Sequence, residues 1–297
     1  MGRELAERFS AAREAFEEAD AALGFSISRL CFDGPAEELQ LTANTQPAIL
    51  ACSIAAYRAL SPLLAQSQVA VSCVAGHSLG EYSALVAAGG LPFAEALRIV
   101  RHRGQYMQEA VPVGTGAMAA ILGLERGSVE ELCRSAAQGE VLSPANFNSP
   151  GQIVVAGHAA AVRRCIEAAT AAGAKLAKLL QVSAPFHCSL MRPAQQRLMP
   201  ELDAAPFADT STPLINNVRA EEVRSANDAR QGLIDQIPSP VLWEDAMRRM
   251  LALGVQKFVE VGPGKVLCGL LRQIERGAQS SNVEDLKSLE KTQALLS

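Results

Sequence analysis

The stretch QVAVSCVAGHSLGEYSALVAAGG, residues 68–90, decides how the chain is read. Its first nine residues are mostly small or β-branched and end at Gly76, which predicts a strand over 68–76. Beyond Ser78 the apolar positions take a helical spacing through Val86, and Gly89 and Gly90 stop it. Between the two, Gly76-His77-Ser78-Leu79-Gly80 fits G-x-S-x-G, a serine on a sharp strand-to-helix turn. The pattern alone occurs often by chance, so the flanking strand and helix carry the inference. Such a turn puts Ser78 at a helix N-terminus, where free N–H groups and the dipole favour developing negative charge. The plain reading is a Gly-Ser turn with capping chemistry, and the chemical reading is a nucleophile.

Upstream, Leu5, Phe9, Ala12, Phe16, Ala19 and Leu23 recur at three-to-four spacing and predict one amphipathic helix over 4–23, with a second over 46–65. Downstream, the apolar positions 93, 96, 97, 100, 104 and 107 mark one face of a further helix. Between 114 and 182 the texture changes. AMAAILGL reads as a strand, SVEELCRSAAQ as a helix, VLSPANF and QIVVAG as strands around a Ser-Pro-Gly turn, HAAAVRRCIEAATAAG as a helix and KLAKLLQV as a strand. That β-α-β-β-α-β order is ferredoxin-like. It predicts a small domain, 114–181, inserted into a larger one formed by 1–113 and 182–297. In the larger part STPLINNV (211–218) reads as a strand, followed by a polar segment to about 230, a helix containing Trp243, and a strand, glycine turn and helix in KFVEVGPGKVLCGLLRQI. The fold class expected is α/β, with a parallel sheet in the larger domain. Beyond Glu275 the tail reads as polar and loosely packed, with at most one short helix.

The bulk composition narrows the function classes. A chain of 297 residues that is 49% hydrophobic and 20% charged can bury a full core. A net charge of −4 argues against nucleic-acid binding, which would show a basic excess or stripe. No stretch reads as approaching the ~18 apolar residues of a membrane span, and GRELAERF after Met1 has no apolar core for a secretory signal. The expected location is the cytoplasm. The seven cysteines (31, 52, 73, 133, 165, 188, 268) are odd in number and lack C-x-x-C spacing, so they read as core residues in a reducing compartment, with no metal site.

A serine hydroxyl needs a base. Of the four histidines, His77 lies on the turn itself, His102 in a helix between Arg101 and Arg103, and His158 at a helix start. His187, in SAPFHCSLM, follows a proline at the exit from the inserted domain, where a cleft would form, and is the favoured partner. Residues 79–187 contain no aspartate, and the glutamates there read as helical or surface residues. A Ser-His dyad oriented by something neutral is therefore expected, in place of a triad. Arg103 falls on the apolar face of its helix. A buried guanidinium cannot shed its charge and should meet an anion. Two readings stay open at this level: a structural or snorkelling arginine, paired with Glu81 for instance, or a contact for a carboxylate-bearing substrate.

GHSLGEYSALVAAG, RGQYMQEAVPVGTGAMAAILGL, NFNSPGQIVVAG, APFHCSLM, PLINNV, PVLW and FVEVGPGKVLCGL resemble, in that order, the malonyl-CoA:acyl carrier protein transacylases of bacterial fatty acid synthesis. The resemblance spans residue 2 to about 275. It implies an α/β-hydrolase-like domain with a ferredoxin-like insertion, and transfer of malonyl from malonyl-CoA to the phosphopantetheine thiol of acyl carrier protein by a ping-pong route, with no cofactor. The family's nucleophile falls on Ser78, its base on His187, and the residue whose carbonyl orients that base on Gln236. Its malonate-binding arginine falls on Arg103. Asn146 and Asn148 would face the cleft, Phe186 resembles the malonyl-preferring version of its segment, and the Leu79 N–H would be one oxyanion donor. Family members usually begin with a strand and a G-Q-G-S-Q loop that supplies the second donor. The chain starts at Met1-Gly2, where that loop should end, so impaired activity relative to an extended version is the expectation. A serine thioesterase on the same dyad and an impaired acyl-binding homologue are the rival readings. Carrier proteins are acidic, which makes Arg163, Arg164, Lys175, Lys178 and Lys265 docking candidates.

Overall fold

The computed structural model describes residues 1–67, 69–182 and 184–296. The chain opens with α1 (Arg3–Arg8), α2 (Ser10–Leu23), α3 (Ile27–Asp33), α4 (Ala36–Gln40) and α5 (Thr42–Gln66). The single helix expected over 4–23 is two, because Phe9 is extended (φ −119°, ψ 123°) and its N–H closes the first helix on Leu5. Turning the chain there keeps Leu5, Ala12, Phe16 and Ala19 all buried.

β1 (Val74–Ala75), α6 (Gly80–Ala87) and α7 (Phe93–Glu109) follow. The strand–turn–helix of the opening stretch is present, with only two residues of the 68–76 run on a ladder and Gln68 outside the described residues. Helix α5 corrects the membrane reading. It has 25 residues, with a mean hydropathy of 1.6 over its most apolar 18-residue window. By length and composition it could cross a bilayer, but 56% of that window is buried inside the protein, where α5 packs on α2, α6 and α7. It is the axis of the main core.

The insertion forms β2 (Gly116–Leu122), α8 (Arg126–Ala137), β3 (Leu142–Ser149), β4 (Gln152–His158), α9 (Ala159–Ala171) and β5 (Leu176–Leu179). Its four strands lie in the order β3-β4-β2-β5, all antiparallel, which is the ferredoxin-like sheet. Alternate residues Ala119 and Ile121 of β2 and Ile153 and Val155 of β4 share one face and pack on Val129 and Cys133 of α8 and Val162 and Cys165 of α9.

The remainder is α10 (Arg192–Ala204), β6 (Leu214–Ile215), β7 (Glu222–Val223), α11 (Ala226–Gln236), α12 (Trp243–Ala252), β8 (Lys257–Val261), α13 (Val266–Ile274), β9 (Gln279–Val283) and α14 (Leu286–Leu296). β1 pairs parallel with β6, which carries antiparallel β7 on its other edge, and β8 pairs parallel with β9. The fold is thus α/β with a ferredoxin-like insertion. Two features differ from the sequence reading. Helix α11 occupies the segment read as polar, started by Ser225, whose Oγ accepts from the Asp228 N–H. The tail is packed: β9 supplies the parallel neighbour of β8, and Val283, Leu289, Thr292 and Leu296 are buried.

Candidate active site

The turn of the opening stretch is built on steric necessity. A Cβ on Gly76 would lie 1.9 Å from the Gly80 carbonyl, so backbone crosses backbone there and only glycine fits. Ser78 has φ of 52°, a left-handed conformation that costs about 1–3 kcal/mol for a non-glycine residue and must be held by its surroundings. Asn217, two residues past β6, holds it. Its Oδ1 accepts from the Ser78 N–H at 2.7 Å and its Nδ2 donates to the Gly76 carbonyl at 2.7 Å. Leu79 is helical at the start of α6, and its N–H has no partner among the described residues.

His187 also has a positive φ, 60°, and is 3% exposed. Its Nε2 lies 2.7 Å from Ser78 Oγ and its Nδ1 lies 3.0 Å from the main-chain carbonyl of Gln236. A carbonyl can only accept, so Nδ1 carries the proton and Nε2 presents its lone pair to the serine. Burial, reinforced by the charge of Arg103, pushes the imidazole down to about 3. The ring is therefore an unprotonated acceptor at neutral pH.

Arg103 is 2% exposed on α7. It donates to Gln46 Oε1 at 2.7 Å, Gln236 Oε1 at 2.8 Å and Ser78 Oγ at 3.0 Å, and its guanidinium lies 5.7 Å from the centre of the Tyr82 ring. The direct pairing with Glu81 is absent among the described residues. Glu81 is fully buried and accepts instead from Gln236 Nε2 at 2.8 Å and the Asn217 N–H at 3.1 Å, so an amide stands between carboxylate and guanidinium. Burial pushes Glu81 up to about 7. The sequence predicts a helical or surface-turn position for Glu81; it is helical but lies at the centre of the polar network. Gln46 and Asn217 are polar residues of the site that the sequence does not single out, and the one signal for Asn217 is an asparagine pair inside the apolar run LINNV.

Asn148 Oδ1 meets His77 Nε2 at 2.9 Å, and the His77 ring lies 5.5 Å from that of Trp243. Asn146 is buried on β3, its main chain bridged to Val241, and Phe186 is half-buried beside the main core. The other histidines have local partners, His102 with Glu201 at 2.7 Å and His158 accepting from the Val141 N–H at 2.9 Å. A hydroxyl facing a neutral imidazole, with a guanidinium beside it, can attack a carbonyl carbon and hold the acid group of an acyl chain. No cluster of three metal-binding side chains occurs among the described residues.

The family model described as acyl transferase domain matches residues 1–293. The chain belongs to the acyl transferase family. It is 49% identical over 274 residues to the malonyl CoA-acyl carrier protein transacylase of Escherichia coli, covering 92% of this chain and 88% of that one. To the Bacillus subtilis protein of the same name it is 45% identical over 291 residues, 98% and 90% of the two chains. Among solved acyl transferases, the Coxiella burnetii malonyl CoA-acyl carrier protein transacylase superposes with a TM-score of 0.96 at 40% identity, covering 100% of this chain and 93% of that one. A type II PKS acyl-carrier protein in complex with its malonyl-transacylase gives 0.95 at 43%, covering 99% and 94%.

Proposed function

We propose that the protein transfers malonyl from malonyl-CoA to the phosphopantetheine thiol of acyl carrier protein through an ester on Ser78. The observation that carries this reading is Arg103. Among the described residues this buried guanidinium donates to neutral amide oxygens and a hydroxyl and meets no counter-charge in contact, an arrangement that is costly unless a ligand supplies an anion. The free carboxylate of a malonyl thioester supplies it within reach of Ser78. The names of the relatives point the same way.

In the first half, His187 Nε2 takes the Ser78 proton while Oγ attacks the thioester carbonyl. The Leu79 N–H supports the oxyanion, and collapse expels the coenzyme A thiolate, which takes the proton back from His187. In the second half the carrier thiol gives its proton to His187 and attacks the malonyl ester; the Oγ–acyl bond breaks, and Ser78 Oγ takes the proton back from His187. The Gln236 carbonyl fixes the working tautomer of His187 throughout. This reading assigns Asn146, Asn148 and Phe186 to the acyl side of a cleft between the body (1–113 and 182–297) and the inserted domain (114–181). No step calls for a cofactor or a metal, and the cytoplasm is where both substrates would be met. Of the docking candidates for an acidic carrier, Arg164 is engaged by Glu140 at 2.7 Å, which leaves Arg163, Lys175, Lys178 and Lys265.

Incubation with malonyl-CoA and holo acyl carrier protein should yield malonyl-carrier by mass spectrometry, through a protein adduct that Ser78→Ala abolishes. Release of free malonate with no malonyl-carrier would make the protein a thioesterase instead.

A further inference from the structure

We propose that Glu81 is a positioning residue that sets the nucleophile and the arginine together, through the side chains of Asn217 and Gln236. This rests on reading Ser78 as the nucleophile and Arg103 as the acid-binding group. One oxygen, Oε2, receives both the Asn217 N–H and Gln236 Nε2. From Asn217 the connection runs to Gly76 and Ser78, the two sides of the turn. From Gln236 it runs in three directions: Nε2 also donates to the Ser78 carbonyl at 3.0 Å, Oε1 accepts from Arg103, and the main-chain carbonyl accepts from His187. Both peptide groups flanking Ser78 are thus held by side chains of two residues that meet on Glu81, Asn217 through its main-chain N–H and Gln236 through its amide. These ties oppose relaxation of the left-handed Ser78.

The same contact decides which way the Gln236 amide faces. Glu81 Oε2 accepts from the Asn217 N–H as well and a guanidinium can only donate, so an amide lodged between them has one satisfied orientation, nitrogen to Oε2 and oxygen to Arg103. Turned over, it would set donor against donor and acceptor against acceptor. The spacing has a second effect. A carboxylate in contact with Arg103 would take up its charge, whereas Glu81 at one amide's remove leaves the guanidinium free for the substrate's acid group. The second Glu81 oxygen, Oε1, has no partner among the described residues, so the role belongs to Oε2.

The test uses the full chain with two readouts: labelling of Ser78 by a fluorophosphonate, which needs no malonyl group, and the ratio of malonyl-CoA to acetyl-CoA acylation rates. Glu81→Gln keeps volume but can donate, so it frees the Gln236 amide to turn. Misplacement of a reacting group by about 1 Å can cost on the order of 10²-fold, and we expect at least a tenfold loss in labelling and in the malonyl-to-acetyl ratio. Glu81→Asp keeps an acceptor for both N–H groups, one methylene shorter, and should recover most of the labelling and of the malonyl-to-acetyl ratio that Glu81→Gln loses. Wild-type values of both readouts in Glu81→Gln would overturn the proposal, as would a Glu81→Asp variant that folds and does no better than Glu81→Gln. Should Glu81→Gln fail to fold, Glu81→Asp decides alone: readouts within a few-fold of wild type support the role, and failure to fold or a tenfold loss in either readout overturns it. Failure of the wild-type chain to take malonyl onto Ser78 would instead count against the transferase reading and leave the labelling result to judge Glu81.

Discussion

Arg103 Nη2 lies 3.0 Å from Ser78 Oγ, so the guanidinium and the imidazole of His187 bracket one hydroxyl. An incoming malonyl group would replace neutral oxygens with a carboxylate on this arginine, a charge-assisted and potentially bidentate contact. Hydrogen bonds to charged groups contribute about 1.5–3 kcal/mol, or roughly 10- to 150-fold in rate. Arg103→Ala should lower malonyl acylation of Ser78 by that order while leaving acetyl acylation within a few-fold. Arg103→Lys should restore little, because a point charge does not reproduce the planar fork. Stopped-flow or quenched mass measurements with the two thioesters give the ratio, and an unchanged ratio in Arg103→Ala would remove the arginine from acid recognition.

The depressed imidazole makes a pH prediction. With His187 at about 3 in the folded protein, its base form persists far below the ordinary value of 6.5. The rate of Ser78 acylation, as kcat/KM, should therefore stay level from pH 7.5 to about 5, and an acid limb centred near 6.5 would contradict the assignment.

Stability responds to the same buried groups with opposite signs. Between about 3 and 6.5 the unfolded chain binds the His187 proton and the folded chain does not, so this residue makes stability rise with pH across that window. Glu81 is raised from 4.5 to about 7, so between those values the folded chain holds a proton that the unfolded one has released. It makes stability fall as pH rises. Where the windows overlap, 4.5 to 6.5, the two oppose each other. Glu81→Gln removes only the second, and its melting temperature relative to wild type should climb from pH 4.5 to 7. A difference that is flat with pH would mean Glu81 does not hold a proton in the folded state.

The glycines of the serine turn are not equivalent, although the sequence pattern treats them alike. A Cβ on Gly76 would strike backbone of Gly80 and Glu81, at 1.9 and 2.6 Å, whereas a Cβ on Gly80 meets nothing within 4 Å. Gly76→Ala should abolish fluorophosphonate labelling of Ser78, because the turn cannot close. Gly80→Ala should retain labelling and raise the melting temperature, since alanine is favoured over glycine in a helix by up to about 1 kcal/mol. Equal behaviour of the two variants would show that the turn relaxes more readily than its geometry implies.

How far the site could be read in advance follows from these contacts. Ser78 was legible because a small, β-branched run and a helical pattern meet at it, His187 because the other histidines had local roles, and Arg103 because a charge on an apolar face demands a partner. The network behind them was not. Gln46, Glu81, Asn217 and the Gln236 side chain come from three different helices and from beside one strand, and nothing local distinguishes a buried amide that joins two site residues from one on the surface. The same limit applies to the fold. The inserted domain was legible because each of its elements carries its own period, while the break at Phe9 has no glycine or proline to announce it. Helix α11 did carry a signal, Ser225 three residues before Asp228, hidden by its polar exposed face.

The C-terminal segment gives a prediction where sequence texture and packing disagree most. Residues 279–296 look polar, yet β9 pairs with all five residues of β8, and Glu284 Oε2 accepts the Gly264 N–H at 2.8 Å, steadying the glycine turn before α13. Val283, Leu289 and Leu296 are buried in the main core, and α14 lies against α5. Burial of each such side chain contributes about 1.5–3 kcal/mol, a large share of the 5–15 kcal/mol typical of a domain. Removal of residues 279–297 would also leave β8 an unpaired edge. The shortened chain should be largely insoluble, and Leu289→Asp in the full chain should lower the melting temperature while leaving the malonyl-to-acetyl ratio of the folded fraction unchanged, because α14 packs on β9 and α5. A truncated chain that stays soluble and melts with the full one would show that β8 and the core are complete without this segment.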